Sequence, residues 1–81
     1  MQMRITNDRA KIVAMEKTAE ANATDVAETC YGTYYFNTVT KSAMSFVRVT
    51  GGVRVLVSQN LSDCNYLIDE LEAEEKEMAG Q

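Results

Sequence analysis

The chain of 81 residues is long enough for one domain with a small core, and its 46% apolar content excludes a disordered chain. It contains no histidine and its glycines form no phosphate-binding loop, which excludes a serine–histidine or cysteine–histidine active site and argues against an enzyme. The net charge of −4 opposes direct nucleic-acid binding, so we expect a binding protein without a metal or cofactor.

The sequence gives no sign of export or of membrane insertion. Its apolar runs are short, and residues 1–6 lack the apolar segment of a signal peptide. We therefore expect a cytoplasmic protein with no membrane contact. In a reducing cytoplasm free thiols are commoner than a disulfide, so Cys30 and Cys64 are expected to be reduced and packed in the core.

The N-terminal part predicts a short strand or tail, followed by a helix. Apolar and polar residues alternate from residue 1 to 6, which fits a strand, although an N-terminal tail fits nearly as well. Thr6, Asn7 or Asp8 is expected to cap a helix that runs to about Ala23. The following Asp25 and Glu28 resemble a capping box, which predicts a further helical turn before residue 30.

The middle of the chain predicts an antiparallel meander of three strands. Residues 31–58 are rich in tyrosine, phenylalanine, valine and threonine, which suit a half-buried sheet surface. The strands are expected at about 33–39, 44–50 and 53–58, with turns at Lys41-Ser42 and Gly51-Gly52.

Two registers are possible for the second hairpin of this meander. A two-residue Gly51-Gly52 loop pairs Thr50 with Val53 and divides the valines between both faces. A three-residue loop pairs Val49 with Val53 and places five valines on one face. Because one buried face specifies a register strongly, we predict the second arrangement, with both helices packed on the valine face.

In the predicted register Arg48 and Arg54 lie opposite each other on the second face of the sheet, beside Phe46 and Leu56. Like charges directly opposite are destabilising, so the arginines can hold an anion such as a phosphate or a partner's carboxylate. Alternatively, carboxylates of the helices neutralise them. The apolar remainder of this face predicts a homodimer in which a second copy covers it.

The C-terminal part predicts an acidic helix capped by Asn60 or Ser62. Between residues 63 and 77 the chain carries seven carboxylates against one lysine. An apolar stripe is expected to face the sheet: Leu61, Cys64, Leu67, Ile68, Leu71 and Met78. The acidic part of the helix is expected to bind a partner through charge complementarity. The alternative is a solvated helix face that only keeps the protein soluble. The candidate residues are Asp63, Tyr66, Glu70, Glu74 and Glu77.

The predicted fold is thus a single α+β domain over residues 1–81. A compact, proline-free chain of this size that ends in the acidic helix from Leu61 to Met78 resembles the small phage-encoded inhibitors called anti-CRISPR proteins. The resemblance lies in size, acidity and α+β character, and it assigns no role to any residue. It implies an inhibitor that occupies the basic, nucleic-acid-binding surface of a larger bacterial complex. The alternatives are a self-assembling structural or accessory subunit and a binder of small anions.

Overall fold

Five antiparallel strands and two helices make up the structure, a computed structural model that describes residues 1–80. The strand order across the sheet is β1-β5-β4-β3-β2, so β2 to β5 form a meander and β1 returns to pair with β5. The α+β class is confirmed, with five strands where the sequence predicted three. The elements in chain order are β1 (Gln2–Thr6), α1 (Arg9–Asn22), β2 (Asp25–Glu28), β3 (Gly32–Asn37), β4 (Ser42–Val49), β5 (Gly52–Ser58) and α2 (Leu61–Ala79).

Both helices begin at predicted caps. The Asp8 side chain accepts a hydrogen bond from the Lys11 amide at 3.3 Å, and the Asn60 side chain accepts one from the Asp63 amide at 2.9 Å. Each cap satisfies an amide that has no partner within its helix. Neither helix of residues 1–80 is long and apolar enough to cross a membrane.

The predicted helical turn at Asp25 and Glu28 is wrong, because these residues form the edge strand β2. The chain becomes extended at Ala23, and the Thr24 amide then donates to the carbonyl oxygen of Phe36 at 2.8 Å. From there β2 pairs antiparallel with β3. Pairing with the neighbouring strand therefore overrides the local capping pattern.

The β4–β5 hairpin has neither of the two registers considered from the sequence. Val49 pairs with Gly52, which leaves Thr50 and Gly51 as the loop. Gly52 has φ +139°, and a Cβ atom added there would lie 2.3 Å from the carbonyl oxygen of Thr6. Only glycine allows β1 to approach so closely, so the contact with β1 places Gly52 in the strand.

This register divides the apolar residues between both faces of the sheet. The predicted single valine face is therefore wrong, and so is the packing of both helices on one side. One face, which we name the α1 face, buries Phe46 and Val55 with Ala19 of α1. The opposite α2 face buries a separate cluster under the C-terminal helix: Tyr34, Ala43, Val47, Leu56, Cys64 and Leu67.

The dimer surface expected from the sequence does not exist in this arrangement. Phe46 is 3% exposed and Leu56 is 4% exposed, because each lies beneath a helix on its own face. A second copy cannot reach either side chain without displacing that helix. The predicted homodimer through Phe46 and Leu56 is therefore wrong about the surface.

Candidate functional site

The orientation of α2 decides which of the predicted partner-binding residues are accessible. Cys64 and Leu67 are buried and Leu71 is half-buried, whereas Leu61 and Ile68 are 58% and 37% exposed. The helix is thus rotated about its axis relative to the prediction. Part of its acidic side faces the sheet, and part of the predicted apolar stripe is exposed.

Because of this rotation, three of the five residues predicted to bind a partner contact other residues of the domain instead. Asp63, Glu70 and Glu74 are half-buried. The exposure expected of them is wrong, because each has a partner within the domain. The contacts are Asp63 Oδ2 to the Met1 amino group at 2.9 Å, Glu70 to Arg54, and Glu74 Oε2 to the Thr29 hydroxyl at 3.1 Å.

A polar cluster beneath α2 fixes the helix to the sheet. The Glu70 carboxylate forms an ion pair with Arg54 and accepts a hydrogen bond from the Tyr34 hydroxyl at 3.0 Å. Tyr34 is fully buried, and this burial, together with the carboxylates of Glu74 and Glu70, raises the pKa of its hydroxyl. Tyr34 therefore stays protonated and donates its hydrogen bond across the physiological pH range.

The predicted anion site between Arg48 and Arg54 is not formed. Arg54 pairs with Val47 and points to the α2 face, where Glu70 neutralises it. Arg48 pairs with Val53, points to the α1 face and donates a hydrogen bond to the carbonyl oxygen of Cys30. The internal neutralisation of Arg54 agrees with the alternative considered from the sequence.

The cysteines have different surroundings, and both are free. Cys64 is buried, as expected, and its sulfur lies 3.1 Å from the Lys41 carbonyl oxygen and 3.2 Å from the Ser58 hydroxyl. Cys30 is exposed, so its predicted place in the core is wrong. The reason is that Cys30 lies in the connection between β2 and β3 instead of at the end of a helix.

The accessible part of the C-terminal helix forms a surface that we name the exposed α2 surface. Tyr66 is 54% exposed and Glu77 is exposed, as expected from the sequence. Sequence reasoning missed the other three members, which follow Tyr66 at intervals of three: Asp69, Glu72 and Glu75. The two ion pairs of residues 1–80 use Asp63 and Glu70, so these three carboxylates have no cationic partner there. Each interval of three residues turns the side chain about 60° back around the helix, so these residues go half-way round α2 and their spacing alone does not identify them as one face.

The pKa of Tyr31 depends on Glu77, which lies at the C-terminal end of the exposed α2 surface. A hydrogen bond with Glu77, desolvation and the nearby negative charges raise the pKa of Tyr31 to about 12. A raised pKa stabilises the fold below the ordinary tyrosine pKa of about 10, and that contribution is lost as the pH rises through about 12.

Glu77→Gln is therefore expected to lower the pKa of Tyr31 toward its ordinary value. Tyrosinate absorbance in an alkaline titration measures the change, since one tyrosine of the variant should ionise earlier. Glu72→Gln removes an equal charge from the same helix and should leave the Tyr31 titration in place. Superimposable curves for the wild type and Glu77→Gln would contradict the contact.

A cavity of about 410 Å³ lies between α1 and one end of the sheet. Its polar side chains are uncharged, and several bond to one another or to the backbone, as in Asn37 Nδ2 to the Asn22 carbonyl oxygen at 2.6 Å. No group of three histidine, cysteine or acidic side chains among residues 1–80 could hold a metal ion. The cavity therefore presents no arrangement with recognisable chemistry.

Comparisons with known proteins give no family to set beside this geometry. No family model, no curated protein and no solved structure matches the chain. The function must therefore be argued from the exposed surfaces of the domain itself, and the exposed α2 surface has the strongest charge.

Proposed function

We propose that this protein is a non-enzymatic inhibitor that acts in the bacterial cytoplasm by binding a larger complex, in the manner of anti-CRISPR proteins. The exposed α2 surface occupies a basic, nucleic-acid-binding surface of that complex. The observation that supports the proposal is the separation of the acids of α2 into two sets. One set binds within the domain, and the other, Asp69, Glu72 and Glu75, forms no ion pair among residues 1–80.

The acids that bind within the domain fix the position of the helix that carries the other set. Glu70 binds Arg54 and Tyr34, and Asp63 binds the chain's amino group, so one side of the helix is fixed over its first half. A helix that is already fixed in position loses little backbone freedom on binding, and the field of its carboxylates accelerates association with a basic surface.

The position of the acids along the helix also favours a partner. An acidic side chain in the last turn of a helix opposes the macrodipole by about 0.3–1 kcal/mol, and in α2 this applies to Glu77, which adjoins Lys76, the single basic residue of that turn. A basic partner removes this repulsion. Tyr66 adds an exposed aromatic ring, a residue type that often dominates the energy of an interface.

The test begins with affinity capture of the partner from a bacterial lysate and continues with binding kinetics on the purified pair. Glu72→Lys combined with Glu75→Lys is expected to slow association about tenfold or more and to flatten its salt dependence, because steering is electrostatic. Tyr66→Ala should instead accelerate dissociation, since its contribution is buried contact. Glu70 is unsuitable for this test because its substitution breaks the ion pair with Arg54.

The matched control is Glu20→Lys combined with Asp25→Lys. Both residues are exposed, and the pair changes the net charge equally but away from α2. If the two charge-reversed proteins associate equally fast, the acids of α2 only keep the protein in solution. Competition provides the second arm: nucleic acid bound to the captured partner must be displaced by the wild type, and undiminished nucleic-acid binding would contradict inhibition.

A further inference from the structure

The outer edge of β1 is an uncovered strand edge with an apolar side. β1 is the first strand of the sheet order and pairs on its inner side with β5. Met1, Met3 and Ile5 are 50%, 66% and 51% exposed. Met3 pairs with Leu56, which places this alternating apolar row on the α2 face of the sheet.

The opposite edge of the sheet, β2, carries charges that protect it from pairing with another strand. β2 has four residues, two of which are the exposed acids Asp25 and Glu28. The antiparallel self-pairing that aligns all four residues of β2 places Asp25 opposite Glu28, and such like charges are a common protection of edge strands. β1 carries no acid and a single base, Arg4. The β1 edge therefore lacks the acidic residues that protect the β2 edge from self-pairing.

We propose that the protein forms a two-fold dimer in which β1 pairs antiparallel with β1 of a second copy, centred on Met3. In this register Met3 lies opposite Met3, Ile5 lies opposite Met1, and Arg4 lies opposite Gln2 of the other copy. Apolar residues meet apolar residues on the α2 face, and each arginine meets an amide on the α1 face.

The neighbouring registers are less favourable, so the dimer is expected to be centred on Met3. A dimer centred on Arg4 places the two guanidinium groups directly opposite each other, and like charges there are destabilising. A dimer centred on Gln2 overlaps the two β1 strands only at Gln2, whereas one centred on Met3 overlaps them from Gln2 to Arg4. The two-fold axis at Met3 runs perpendicular to the sheet, so the sheets of both copies become continuous and the α2 helices lie on the same side.

Disulfide trapping tests the register directly, in a Cys30→Ser background that removes the exposed thiol. Met3→Cys places two thiols directly opposite each other at the axis, so oxidised glutathione should link the copies. Ile5→Cys is the matched control: its two thiols lie four residues apart along the strands, about 13 Å, which is too far for a disulfide. Equal linking of both variants, or no linking of Met3→Cys, overturns the register.

Sedimentation equilibrium tests the edge in the full chain. The wild type should dimerise, and Met3→Lys should raise the dissociation constant about tenfold or more, because it places two cations opposite each other. Val39→Lys, at an 82% exposed turn residue, is the control for a new surface charge, and Val26→Lys tests the β2 edge. A wild type that is monomeric at high micromolar concentration, a dimer abolished by Val26→Lys, or an open-ended polymer overturns the proposal.

A second set of variants keeps the test valid if Met3→Lys fails to fold. Gln2→Arg places arginine opposite Arg4 and should weaken the dimer, whereas adding Arg4→Glu to it creates opposite charges and should restore dimerisation. Failure of the double variant to recover contradicts the register. These residues are not part of the exposed α2 surface, so the dimer and the proposed inhibition can fail independently.

Discussion

Glu70→Ala is expected to lower the free energy of unfolding by about 2–3 kcal/mol, a large part of the stability of a domain this small. The substitution leaves the half-buried Arg54 without its anion, and the Arg54 Nε atom already has no hydrogen-bond partner among residues 1–80. It also removes the acceptor of the buried Tyr34 hydroxyl. Each polar group left without a partner costs about 1–3 kcal/mol, although the partial exposure of Arg54 lets water offset some of this loss.

Urea unfolding measures this change, and Glu72→Ala is the control because it removes a carboxylate from the exposed side of the same helix. Tyr34→Phe should cost about 1 kcal/mol, since it removes one hydrogen bond and retains the ion pair. A Glu70→Ala protein as stable as Glu72→Ala would show that the cluster beneath α2 contributes nothing to the fold.

Gly32→Ala is expected to lower the free energy of unfolding by about 3 kcal/mol or more, enough to reduce the yield of folded protein. A Cβ atom at Gly32 would lie 2.0 Å from the Phe46 carbonyl oxygen and 2.7 Å from the Val47 Cα atom. Both contacts are with backbone, so no side-chain rotation can relieve them. The added methyl group must separate β3 from β4 at the centre of the sheet.

Thermal and urea unfolding of the alanine variant give the size of the effect. Gly80→Ala provides the comparison, because its nearest atom would be 3.5 Å away, an ordinary contact, and its stability should change by no more than about 0.5 kcal/mol. A Gly32→Ala protein that unfolds like the wild type would mean that the two strands are not held at this spacing.

Elements governed by local chemistry could be predicted from the sequence, whereas those set by distant contacts could not. The caps at Asp8 and Asn60 depend on side chains within one turn, and both predictions are confirmed. The β4–β5 register depends on the approach of Gly52 to Thr6, which belongs to a strand at the other end of the chain. No pattern within the hairpin itself reveals that contact.

The candidate site shows the same division. Sequence reasoning found that Tyr66 and Glu77 are exposed, because helical periodicity alone separates them from Leu67. It failed for Glu70, because an apolar stripe cannot show that a carboxylate will turn inward to reach Arg54 and Tyr34. Predicting that rotation requires the sheet register, which places Arg54 on the face beneath the helix.

The place of β1 in the sheet also bears on the order in which the chain folds. Each strand from β2 to β5 pairs with its neighbour in sequence, so the meander can form through short loops. β1 must instead close a loop over about two thirds of the chain before Gln2 can meet Val57. During synthesis β1 therefore leaves the ribosome before its partner exists, and its apolar side chains stay exposed to water until β5 has been made.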